Sequence, residues 1–215
     1  ARALVIRPQV LLMDEPLSNL DAQLRVDLRR DIRALQQAFG ITTVYVTHDQ
    51  EEALSLSDAV CVMSGGCVQQ VGSPWSIYHA SANRFVASFV GAQNFIELAA
   101  PVGGELMLFG QRLPAPPAVI ARGAACVAAV RPEQVALADS GGGPGLQVAG
   151  QVRQAMFTGR ELQLRVEVAG HGLIDAVTHA DARSVALRPG EVVRLRIDAA
   201  ALAYYETGAN GARLA

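Results

Sequence analysis

The run "VLLMDEP" at residues 10–16 limits the folds open to this chain more than any other stretch. Val10, Leu11, Leu12 and Met13 are apolar without the alternation of a half-exposed strand, which predicts a strand buried on both faces. Such strands belong to parallel sheets covered by helices, and open parallel α/β sheets bind ligands outside the carboxyl ends of their strands. Asp14 and Glu15 stand at that end. Two adjacent acids there suggest a metal and a proton acceptor.

The next segments alternate in the same way. Residues 22–39 place Leu24, Leu28, Ile32, Leu35 and Phe39 at three- and four-residue steps, an amphipathic helix that Gly40 ends. "ITTVYVTHD" reads as a second buried strand, "QEEALSLSDA" as a helix, and "AVCVMSGGCVQQVG" as a hairpin turning at Ser64, Gly65 and Gly66. A short helix starts at Pro74, with Trp75 and Tyr78 expected to pack against the sheet. After Gly91 the helical period fades, and β-rich segments follow at 94–98, 126–130, 148–157, 161–168 and 191–197, the pattern of a small barrel or sandwich. "PAPPA" at 114–118 and "SGGGPG" at 140–145 read as loops, and the second lacks the Lys and the Ser or Thr of a phosphate-cradling loop. The texture therefore divides the chain into residues 1–93 and residues 94–215.

Composition narrows the chemistry. With 215 residues, 51% hydrophobic and 18% charged, the chain can bury a sizeable core as one large domain or two small ones. All 18 basic residues are Arg, so no phosphate-binding lysine exists in it. A net charge of −2 gives no basic excess for a nucleic-acid backbone. Cys61, Cys67 and Cys126 are too few and too unevenly spaced for a disulfide framework or a four-ligand zinc site, and read as buried free thiols. No apolar run of ~20 residues occurs, and nothing reads as a signal peptide. His79, His171 and His179 share no metal spacing and read as surface or loop residues. Arg25, Arg29, Arg30 and Arg33 form a basic helix side, expected to pair with Asp27 and Asp31.

"LLMDEP", then "LSNLDA", then "VTHDQEEAL" with His48 placed 34 positions after Asp14, together resemble the Walker B, D-loop and H-loop of the ATP-binding subunit of ABC transporters, in family order. Residues 72–96 resemble the junction found in bacterial solute importers, although the family usually carries an acid at one of the positions held here by Trp75 and Ser76. "VAAVRPEQVAL", "FTGRELQLRVEV" and "RPGEVVRLRIDAAAL" resemble the transport-associated OB-type (TOBE) domain that follows the ATPase there.

The resemblance implies a partial P-loop NTPase α/β sheet on the Walker B side over 1–93, then a mostly β OB-like regulatory domain over 94–215. It implies ATP and Mg²⁺ as cofactors, with Asp14 holding Mg²⁺ through water, Glu15 as base or orienter of the attacking water, and His48 on the γ-phosphate. Ser18, Asn19 and Asp21 would form the loop that crosses a head-to-tail homodimer, and an alternative for Ser18 or Asp21 is a helix N-cap. Implied partners are transmembrane permease subunits, a second ATPase subunit and, indirectly, a solute-binding protein, with no nucleic acid; the implied place is the cytoplasmic face of the bacterial inner membrane, as a peripheral subunit. In the family the Walker A loop, Q-loop and signature precede "ARAL", so the chain reads as the C-terminal part of a longer subunit, inactive alone. Two rivals remain at this level: a nucleic-acid-dependent ATPase with an OB fold, and a non-enzymatic sensor in which Arg153, Arg160 and Arg165 line an anion site.

Overall fold

A computed structural model describes residues 8–91, 93–138, 144–182 and 184–215. "ARAL" and most of the 140–145 loop lie outside the described residues. The chain forms two compact units, Ala1–Ala82 and Asn83–Ala215.

In the first unit, β1 (Val10–Asp14) and β2 (Thr42–Val46) pair in parallel, with Leu12 opposite Val44 and Asp14 opposite Val46. The connection between them contains α1 (Ala22–Phe39), as parallel neighbours require. Asp21 caps its start by accepting the Leu24 N–H, and Gly40, at φ 61°, ends it in the left-handed conformation that a residue without Cβ adopts freely. α2 (Gln50–Leu56) follows β2, capped by Asp49. β3 (Val60–Ser64) and β4 (Cys67–Gly72) make the expected hairpin, with Gly65 and Gly66 both at positive φ. α3 (Pro74–His79) closes the unit.

Several expectations change here. β1 and β2 are not buried on both faces: Val10, Leu12, Val44 and Val46 are exposed, Leu12 at 74%, because the helices of this unit cover only the face carrying Leu11, Met13, Tyr45 and Thr47. No residue of α1 is fully buried. Trp75 does not pack against a sheet; it is 73% exposed and stacks on His79 at 3.8 Å between ring centroids. Arg25, Arg29 and Arg33 pair with Asp49, Glu51 and Asp58, acids from beyond their own helix, not with Asp27 and Asp31. Cys126 is buried, whereas Cys61 and Cys67 are exposed on the hairpin.

In the second unit, α4 (Arg84–Phe89) comes first. The reason is local: Arg84 donates its backbone N–H to Gly211 O and its guanidinium to Gly208 O, and Ala87 is buried against Ala129 and Tyr205. β5 (Asn94–Leu98), β8 (Cys126–Val130) and β14 (Ala203–Glu206) form a three-stranded antiparallel sheet with β8 central and wholly buried. Between β5 and β8 lie the hairpin β6 (Glu105–Leu108) and β7 (Gln111–Pro114), and α5 (Pro117–Arg122), a helix where the sequence predicts loop as far as residue 118.

β9 (Val135–Leu137), β10 (Leu146–Phe157), β11 (Glu161–Val168), β12 (Gly172–His179) and β13 (Val192–Ile197) make a five-stranded antiparallel sheet in the order β12-β11-β10-β13-β9. Its edges β9 and β12 approach one another, so the sheet curls into a near-barrel of OB-like form. Inward residues alternate along each strand, among them Val152, Leu162, Leu164, Val166, Ile174, Leu195 and Ile197, and merge with Ile96, Leu106, Leu108, Val119 and Val130 into one core.

Gly150 marks the tightest point of that barrel: a Cβ there would meet Val166 Cγ1 at 2.5 Å and Glu167 O at 2.8 Å. Gly150→Ala therefore overpacks a site bounded partly by backbone and is expected to cost about 1–3 kcal/mol. Calorimetry should show the melting midpoint lowered by at least about 3 °C. An unchanged midpoint would show that the strands part more easily than this geometry implies.

Candidate functional site

The carboxyl ends of β1 and β2 bring the sequence-selected residues together. The chain leaves β1 through Asp14, and Glu15 takes a left-handed backbone at φ 42°, held by its N–H to Val46 O at 2.9 Å. A residue with a Cβ pays about 1–2 kcal/mol for that conformation, which is tolerated where surrounding bonds fix it. His48 follows β2, and its Nδ1–H donates to Glu15 Oε1 at 2.9 Å. A carboxylate can only accept, so the ring carries its proton on Nδ1.

The loop after Glu15 is anchored by Leu17, 2% exposed. Ser18 Oγ donates back to Glu15 O at 3.0 Å, and Arg25 donates to Leu20 O at 3.0 Å. Asp21 is occupied as the cap of α1. Ser18 and Asp21 thus shape the loop by local bonds, while Asp14 is exposed at the strand end.

Sequence reasoning passed over the polar layer beneath the site. Glu52, 2% exposed, accepts from Tyr45 Oη at 2.9 Å and Thr47 Oγ1 at 2.8 Å. Burial first, and then the bond to Glu52, push the Tyr45 phenol above its ordinary range. The signal was present in the alternation Tyr45, Thr47 on one strand face and an acid at the third helical position after Asp49. A cleft of about 500 Å³ between α1 and α2 opens beside His48, lined by Arg25, Arg29, Asp49 and Glu51 among others. Its charges pair with each other, so it offers no free excess of either sign.

Arg153 and Arg165, suggested for an anion site, are engaged by Glu167 and Asp175 across the barrel surface. Among the described residues no group of three or more His, Cys, Asp or Glu could hold a metal on its own. None of the described helices is long and apolar enough to cross a membrane.

The Glu15 hydrogen bond, followed by its charge, raises the His48 imidazole above its ordinary 6.5. A folded-state value above the unfolded one means that the pair stabilises the fold fully below the unfolded value near 6.5, and that this contribution is lost as pH rises through the higher folded value. NMR titration of the His48 ring should give a midpoint above 6.5, falling on Glu15→Ala. A midpoint unchanged by that substitution would show that the pair does not persist in solution.

Comparison with known proteins bears on the family of the chain. Residues 128–204 match the TOBE domain family. The chain is 43% identical over 210 residues to the spermidine/putrescine import ATP-binding protein PotA of Rubrobacter xylanophilus, an alignment covering 93% of this chain and 54% of that protein. It is 43% identical over 174 residues to the Fe(3+) ions import ATP-binding protein FbpC of Escherichia coli, covering 81% and 49%. Among solved structures, the cytoplasmic molybdate-binding protein ModG with molybdate bound overlaps 53% of this chain and 96% of its own at 17% identity, with a TM-score of 0.42, too low to transfer topology or ligand. The chain spans about half the length of the curated relatives it matches. It carries a TOBE domain, and its curated homologues are ATP-binding subunits of ABC importers, similar over most of this chain.

Proposed function

We propose that Asp14, Glu15 and His48 are parts of the ATP-hydrolysing site of a subunit that powers import of a small solute through membrane permease subunits, working as a peripheral homodimer at the cytoplasmic face of the bacterial inner membrane. The observation that carries this reading is the Glu15–His48 pair at the ends of two adjacent parallel strands, in a chain 43% identical to import ATP-binding proteins.

The residues fit Mg²⁺, which keeps several waters and takes one or two carboxylates where a softer ion would need a dedicated cage. Asp14 would hold it, and the ion would neutralise charge on the β- and γ-phosphates of ATP. Glu15 is the base or orienter of the attacking water: its Oε1 is held by His48, which leaves Oε2 for that water. His48 in its protonated form donates from both nitrogens, Nδ1 to Glu15 and Nε2 to an anionic oxygen. Ser18 and Asp21 hold the loop that meets the second copy. Residues 83–215 serve as the regulatory domain, contacting protein and not nucleic acid.

The cargo is not set by this chain. The same identity, 43%, relates it to proteins named for polyamine and for ferric ion import, chemically unlike solutes. A separate solute-binding protein and the permease make that choice.

With no lysine to bind phosphate, the 215-residue chain alone should show no Mg²⁺-dependent ATP turnover. Joined behind the first half of the Rubrobacter relative, it should turn over ATP. Glu15→Gln in that chimaera should lower kcat at least about 100-fold while ATP still binds, since an amide keeps the shape but takes no proton. Turnover within about threefold of the parent would remove Glu15 from its role.

A further inference from the structure

Glu52 is the one buried acid among the described residues, and the hydrolytic reading gives it no task. Its position is nevertheless specific. His48 is exposed, its side chain at 73%, so packing does not fix the ring. What fixes it is the backbone on either side. Thr47 Oγ1 donates to Glu52 Oε2 at 2.8 Å and at the same time accepts the Asp49 N–H at 2.9 Å. Asp49 Oδ1 accepts the Glu52 N–H at 3.0 Å, which closes the circuit. Tyr45 Oη, two residues upstream on the same strand face, donates to the same Glu52 oxygen at 2.9 Å. The single turn that carries His48 is therefore clamped from both ends onto one carboxylate.

We infer that Glu52 is a positioning residue for His48, acting through Thr47 and Asp49 to hold the imidazole on Glu15. The inference deepens the proposed hydrolytic site and rests on that reading for its significance, though the geometry stands without it. A carboxylate is suited to the task because it offers acceptors only, and the two groups that reach it, the Tyr45 and Thr47 hydroxyls, are donors, while its own backbone N–H is taken by Asp49 Oδ1. Arg29 of α1 lies near enough to contribute favourable charge. A buried acceptor shared by two hydroxyls leaves little freedom to either, and such hydrogen bonds are stronger in a low-dielectric setting than in water. An apolar residue at 52 would fill the space and leave both hydroxyls without an acceptor.

The test is the ¹⁵N signal of the His48 ring in the 215-residue chain without nucleotide, with Glu15→Ala marking the unpaired ring. Thr47→Val removes the linking hydroxyl at nearly constant volume, and Glu52→Ala removes the acceptor. Both should move the His48 signals at least halfway to the Glu15→Ala position. Glu52→Gln, whose amide oxygen still accepts from both hydroxyls, should restore the wild-type position. If Glu52→Ala does not fold, Thr47→Val with Glu52→Gln decides. Wild-type His48 signals in a folded Thr47→Val chain, or loss of those signals only through unfolding, would overturn the inference and leave Glu52 as a support of the fold. Because no nucleotide is present, absent turnover in the chimaera leaves this result standing, and a failed ring test leaves the hydrolytic reading standing.

Discussion

The parallel register that sets Asp14 against Val46 directs the next backbone hydrogen bond from Glu15 N–H to Val46 O, and that bond turns Glu15 toward the residue two places beyond Val46, which is His48. Side chains alternate along a strand, so a slip of one residue between β1 and β2 would send Glu15 and His48 to opposite faces. The left-handed backbone of Glu15 belongs to the same constraint. An extended residue there would carry the chain onward along the sheet and lose the reach to Oε1 of its carboxylate from the imidazole. Strain at one residue and register across two strands together produce a pair that neither segment makes alone.

The second unit solves a different problem, that of finishing a strongly curved sheet. β12 is an edge strand, and the buried Asn94 amide covers part of that edge by donating to Asp175 O at 2.8 Å and accepting the Asp175 N–H at 2.7 Å. Gln111 does the same for Gln147 at the start of β10, fastening the β6–β7 hairpin to the barrel. In each case a side-chain amide supplies the donor and acceptor that a neighbouring strand would have supplied, which satisfies backbone groups that are costly to leave unpaired. The C-terminal residues act likewise by main chain: Tyr204 donates to Ala215 O and Glu206 to Ala212 O. An edge closed in this way is a poor template for pairing with other chains.

What the sequence reveals follows from the range of the physics involved. β5, β8 and β11 fall at the residues that alternation and apolar runs predict, because a strand that fills a core records its inward positions locally. The pairing of β1 with β2 follows from two apolar runs joined by a helix. β9 and β14 are short and take their strand character from neighbours distant in sequence, and α5 begins at Pro117 inside a proline-rich stretch that reads as a loop. Glu15 and His48 are legible through their neighbours in the chain. Glu52 is not, because an acid in "QEEAL" looks like helix surface until Tyr45 and Thr47 are seen to face it. The arginines of α1 mislead for the same reason: Asp27 and Asp31, two residues away along the chain, are visible in sequence, whereas Asp49, Glu51 and Asp58 become partners only once the helices have folded together.

The two units therefore hold their shape by unlike means, and the candidate site sits on the more polar of them. The barrel unit buries a continuous apolar core, while in the first unit α1 has no fully buried residue and one face of the parallel pair is open, Val10, Leu12, Val44 and Val46 included. Beside the apolar residues it buries, Leu17, Leu56, Val60, Val62 and Ile77, that unit carries directed contacts: the Asp21 and Asp49 caps, the ion pairs of Arg25, Arg29 and Arg33, and the hydroxyls gathered on Glu52. Ion pairs that solvent reaches, such as Arg33–Asp58, are each worth little and weaken with salt, whereas hydrogen bonds to a buried carboxylate are not screened in that way. The geometry around His48 consequently hangs on Glu52 more than on the charged rim, and loosening of the rim leaves the imidazole where it is so long as Thr47 stays bound.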